Sequence, residues 1–212
     1  IIGLKFIIDF INYSIEFYVN ATCDYKHKVY EIEIELNDGT KVKQWAAWEL
    51  WAAYRGLSVT NNALESLLMS LEKFLLDTAK RKSDVSKRNI TFIFDYVLKN
   101  SNNVAPLSVL TSVAIAYPEE VEDVMLPLLS IPEFYDWDSS RAIQESSALA
   151  PMDNDISFAQ KIRWESNQLP HRKQFTQGLV DFIVDYQFNI RKINQQIHKL
   201  FDKLKDNIKE GD

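Results

Sequence analysis

Residues 105 to 117 read Ala-Pro-Leu-Ser-Val-Leu-Thr-Ser-Val-Ala-Ile-Ala-Tyr, with no charged side chain anywhere around the turn of a helix. A helix that is apolar or small on every side has no face to offer water, so it belongs at the centre and the rest of the chain must pack around it. Pro118 ends it, because the residue before a proline avoids helical geometry.

The flanking segments have the pattern such packing needs. From Leu4 to Asn20 the residues Leu4, Ile7, Ile8, Ile11, Ile15, Tyr18 and Val19 recur at three- and four-residue spacing, which predicts an amphipathic, buried helix. Lys5, Asp9, Asn12, Ser14 and Glu16 interrupt it too often for a membrane span, which needs roughly 20 mainly apolar residues. Leu64, Leu67, Leu68, Leu71, Phe74 and Leu75 form a second stripe, on a helix starting near Thr60 or Asn61 and ending in Lys80-Arg81-Lys82. Ser83 or Ser86 can cap a third, carrying Ile90, Ile93, Phe94, Val97 and Leu98, and the Asn100 to Asn103 cluster breaks it. Further helices are expected from about Pro118 to Leu129, Ser139 to Leu149, Ile156 to Asn167 and, as a final pair, His171 to Lys209. Asp136-Trp137-Asp138 is expected to form a turn, with Asp138 as a helix cap and Arg141 in reach.

One stretch changes period. Ile32, Ile34 and Leu36 alternate with Glu31, Glu33 and Glu35, and Asn37-Asp38-Gly39-Thr40 precedes Lys41-Val42-Lys43, which predicts a β-hairpin at residues 29 to 43 with an acidic face in water. Gln44 to Arg55 is expected to be helical again, closed by Gly56 in a left-handed position. The fold class is therefore mainly α, an array of helical hairpins in a bundle or a solenoid segment, with one β-hairpin. The absence of an initiator Met suggests a single helical domain or segment, residues 1 to 212, excised from a larger multidomain protein.

Charge and cysteine content narrow the function. A net charge of -6 speaks against general nucleic-acid binding, which rests on clustered positive charge. The lone Cys23 has no disulfide partner, so a reducing, cytoplasmic setting is expected.

Two groups of residues are candidates for interaction. Trp45, Trp48 and Trp51, with Tyr54 beyond, share three-residue spacing; aromatics so spaced on a helix are ordinarily core, and the other reading is a binding platform. Lys80, Arg81 and Lys82 with Lys87 and Arg88 form the dense basic cluster, either a solvated helix end or, with Ser83 and Ser86, a phosphate site.

Catalytic and metal signatures are missing. There is no Gly-rich phosphate loop, no Gly-x-Ser-x-Gly elbow and no His-Glu-x-x-His helix. His27, His171 and His198 are far apart, and Asp136 with Asp138 is too short a match for a metal loop. No cofactor, metal or catalytic residue is expected. A hydrolase using Glu119, Glu120 or Asp123 would need a pocket that sequence does not show.

Several stretches carry a family likeness: the Asp38-Gly39 hairpin, Leu50-Trp51-Ala52-Ala53-Tyr54-Arg55-Gly56, Leu64 to Leu76 with Glu72-Lys73, Val109 to Ala116 before Tyr117-Pro118, Leu128 to Tyr135, Trp137-Asp138, and Leu169-Pro170-His171-Arg172. Together, over about residues 29 to 175, they resemble the helical region that follows the ATPase module in large bacterial STAND-type NTPases, including the anti-phage AVAST group. In that family an N-terminal effector precedes the NTPase core, and a C-terminal helical array recognises a foreign protein and triggers oligomerisation. The resemblance implies a non-enzymatic scaffold or sensor segment of a defence ATPase. Its partners would be a target protein or other domains of the same polypeptide, with self-association through the parent protein. The alternative is a free-standing nucleic-acid-associated helical protein using Lys80 to Arg88.

Overall fold

Burial follows the apolar pattern closely enough that the core can be traced from the chain's own periodicity. The computed structural model describes residues 2–21, 29–57, 62–146, 158–169, 172, 178–189 and 194–210. At its centre is α5 (Ala105–Ala116), whose first ten residues are all buried. It packs against α2 (Trp48–Ala52), α3 (Asn62–Ala79), α4 (Asp84–Asn100) and α10 (Leu179–Asn189). The molecule is mainly helical with one antiparallel hairpin, as its periodicity predicts. Buried residues from α1 (Ile2–Ala21) through α11 (Asn194–Glu210) join one continuous core.

The hairpin joins β1 (Tyr30–Glu35) to β2 (Lys41–Ala46), three residues longer than predicted at its second strand. Gly39, at φ 80°, supplies the left-handed residue that the turn requires. Ile32 and Ile34 face the core while Glu31, Glu33 and Glu35 face water. Lys43 and Lys41 reach diagonally across the strands to Glu31 and Glu33, each at 2.6 Å.

Gln44 to Arg55 is not one helix. Gln44, Trp45 and Ala46 complete β2, because the segment 102–104 pairs with its far edge: the Trp45 amide donates to the Asn102 carbonyl at 2.8 Å and the Val104 amide to the Trp45 carbonyl at 3.0 Å. The helix begins only at Trp48, and a 3-10 turn, Ala53–Arg55, closes on Gly56 in the expected left-handed conformation.

Four other expectations are corrected. Phe74 of α3 faces out, since the inner face rotates toward Leu71, Glu72, Leu75 and Thr78. α1 lies at the surface: Ile8, Ile11, Ile15 and Val19 are buried, but Phe6, Phe10, Tyr13 and Phe17 stand exposed on its outer side. The expected helix from Pro118 to Leu129 is three pieces, α6 (Pro118–Val121), a 3-10 turn and α7 (Leu126–Leu129). The break is at Glu122, held at φ 42° while its carbonyl accepts from the Tyr186 hydroxyl and its carboxylate from Lys87. Finally, α8 runs from Pro132 to Ser146, so Asp136, Trp137 and Asp138 lie inside a helix and not in a turn.

α4 begins where its sequence says: Ser83 caps it, its hydroxyl accepting from the Ser86 amide. The expected helix starts near Thr60 and Ile156, and His171, lie outside the described residues. α9 spans Phe158–Asn167. Among the described residues no helix is long and apolar enough to cross a membrane.

Candidate functional site

Among the described residues, the densest cluster of ionisable side chains lies inside the molecule. On α8, Asp138, Arg141 and Glu145 fall at positions i, i+3 and i+7, which puts them on one face of the helix. That face turns inward, and all three side chains are buried. Arg141 binds Asp138 through two nitrogens, at 2.7 and 3.1 Å, and Glu145 through a third at 2.7 Å. This forked geometry is what a planar guanidinium offers and an ammonium does not.

The other Glu145 oxygen accepts from Arg55, delivered by the 3-10 turn after α2. Arg55 also donates to Asn167 Oδ1 at 2.7 Å and to Ser166 Oγ at 3.3 Å, tying in the end of α9. Ser166 Oγ accepts in turn from Arg172 at 2.7 Å. Arg172 pairs with Glu72 of α3 and reaches Ser112 of α5 at 3.3 Å, while the Ser112 hydroxyl donates to the same Glu72 carboxylate. Three guanidiniums, Arg55, Arg141 and Arg172, thus face three carboxylates, Glu72, Asp138 and Glu145, and the formal charges cancel. Asp138 Oδ2 additionally accepts from the Leu179 amide at 2.8 Å, so this carboxylate sits at the positive end of α10 and not at the start of its own helix.

Electrostatics differ from one arginine to the next. Burial works against the charge of Arg141, but the carboxylates of Asp138 and Glu145 outweigh it and hold the guanidinium well above its ordinary range. Burial, and the like charge of Arg55, pull Arg172 down to about 9. Glu72 is the carboxylate that faces this buried cation. The Arg55 guanidinium also lies 5.9 Å from the centre of the Tyr54 ring, and burial pushes the Tyr54 hydroxyl up.

Of the residues singled out from the sequence, Asp138 and Arg141 belong to this network, and the tryptophans and the basic cluster do not. Trp51 is core, its ring 4.4 Å from that of Phe134 and 6.1 Å from that of Trp137. Trp48 is half-buried on α2, and Trp45 is exposed on β2, so the three tryptophans share no helical face. Lys80, Arg81 and Lys82 are exposed in the turn between α3 and α4, with Arg88 exposed one turn into α4. Lys87 is set apart: Glu122 holds it at 2.5 Å and raises its pKa. Among the described residues no three His, Cys, Asp or Glu side chains gather as a metal-ligand set.

The sequence holds partial signals for the network: the Asp138, Arg141, Glu145 spacing, and a charged Glu72 between the core positions Leu71 and Leu75. Arg172 has no local signal for its charged partner, since Glu72 is 100 residues away and the nearby Ser166 is only a hydroxyl. No family model matches the chain, and no characterised protein is significantly similar to it.

Proposed function

We propose that this chain is a non-enzymatic helical scaffold segment of a larger, cytoplasmic STAND-type defence ATPase, and that it works through protein contacts. The observation that carries this reading is the buried network, in which six ionic side chains engage one another across α3, α5, α8, α9 and the turn after α2, with Arg172 Nε left without a partner. Its chemistry is directed at fixing helices relative to each other. Four of those residues, Arg55, Glu72, Asp138 and Arg172, fall inside the stretches that resemble the STAND helical region. The nucleic-acid alternative is weakened, because Glu122 engages Lys87 and Asp84 lies in the first turn of the same helix. The test is the reading frame that encodes the chain. A phosphate-loop NTPase module in the same polypeptide is the expected result; a frame without one overturns the assignment.

A further inference from the structure

Between α1, α3 and α4 lies a groove of about 600 Å³ with an apolar floor of Leu4, Ile7, Leu71 and Ile93. Phe74 and Phe92, 57% and 47% exposed, form its walls. Arg81 stands on its rim, beside Lys80 and Lys82 in the same turn, and Arg88, one turn before Phe92 on α4, lines the neighbouring depression with Asp84, Lys87 and Asp95. None of Lys80, Arg81, Lys82 and Arg88 makes an ion pair among the described residues. In a chain of net charge -6 this is a local cationic edge on an apolar trough. It fits a helix whose apolar anchors are flanked by carboxylates, laid into the groove.

The same chain presents such a helix. α10 buries Leu179, Phe182, Ile183 and Tyr186 but leaves Val180, Val184 and Phe188 exposed at 45%, 47% and 72%, in one row at four-residue spacing. Asp181 and Asp185 stand exposed beside the row, and neither makes an ion pair among the described residues. The row spans about 12 Å, two turns. Because its outer face points away from its own core, it can reach a groove only on another molecule.

We propose that α10 of one copy docks its Val180, Val184 and Phe188 row into the groove between α1, α3 and α4 of a second copy, with Asp181 and Asp185 facing the cations around Arg81. Donor and acceptor are different surfaces, so the contact is head-to-tail and repeats from copy to copy instead of closing as a two-fold dimer. A two-turn row covers less than the roughly 800 Å² per partner of a standard interface, so association is weak, rises with concentration and falls with salt. The inference deepens the protein-contact role proposed above and stands or falls separately from the reading-frame test.

Sedimentation velocity on the 212-residue chain tests it. Wild type is expected to grow in mass with concentration at low salt. Phe188→Ser, which removes the anchor, and Phe92→Ser, which removes the wall, should each weaken association about tenfold or more. Both residues are exposed, and circular dichroism checks that each variant is folded. Mixed in equal amounts, the two variants should stop at a one-to-one pair, because one keeps only its groove and the other only its α10 row. Arg81→Glu and Asp185→Lys should each weaken self-association, and the chain carrying both should recover it. A wild-type chain that stays monomeric throughout, association unchanged in both single variants, or no pairing in the mixture would overturn the proposal.

Discussion

Six ionisable side chains lie inside the junction of α3, α8 and α9, whereas three phenylalanines and two valines stand in water on α3, α4 and α10. Each region reverses the usual placement, and the reversals have different physical causes. The interior charges are tolerated because each is engaged by an opposite charge, and a charge desolvated without one would cost several kcal/mol; Arg172 Nε is the atom left without a hydrogen bond. The exterior apolar groups are tolerated because each lies on a helix whose opposite face is fully used in the core, so solvent exposure costs folding little. The first arrangement fixes one geometry; the second leaves surface for a partner.

The contrast is broken most easily at Arg141. Arg141→Met should leave Asp138 buried without a cation and Glu145 with Arg55 alone, and we expect a loss of about 3–5 kcal/mol in urea unfolding. Retention of full stability would mean that water reaches the network. At the surface the largest stability effect should come from Ser83→Ala, which removes the cap of α4 just behind the cationic turn and should cost about 1 kcal/mol. Phe188→Ser should move stability by no more than about 0.5 kcal/mol, since its side chain is largely in water, and Phe92→Ser by less than about 1 kcal/mol, since its half-exposed ring also packs beside Tyr96. A larger loss would show that these residues belong to the fold and not to a contact.

The smallest effect concerns acid. The Thr40 amide, and then Lys99, hold Asp38 at about 2, below its ordinary 3.8. A carboxylate with a lowered pKa adds stability above its unfolded value and loses it as pH falls through the folded one. Protection of the Gly39 and Thr40 amides relative to their intrinsic exchange rates should therefore fall slightly between about pH 4 and 2, and Asp38→Asn should abolish that dependence.

How much of this was written in the chain depends on the range of the contacts. The Ser83 cap, the inner stripe of α4, the Gly39 turn and the buried Ala105–Ala116 helix follow from residues within a few positions of one another. Trp45 did not, because three-residue spacing to Trp48 and Trp51 imitates a helix while pairing with Asn102 and Val104, nearly 60 residues on, keeps it extended. Asp138 was legible as a partner for Arg141 and as a helix-start carboxylate, but the helix start it serves is that of α10. Arg172 was invisible, since nothing near it in sequence announces Glu72. The two halves of the proposed contact were each present as patterns, a basic run and an apolar row, and only the fold shows which sides face out.

The account rests on the buried charges being structural. Urea unfolding of Glu72→Leu, Arg172→Met and the chain with both changes tests that directly. Each single change should cost several kcal/mol, because it strands a buried charge, and the double change should recover most of the loss. Single variants as stable as wild type would contradict the account, leaving Glu72 and Arg172 free for some other task.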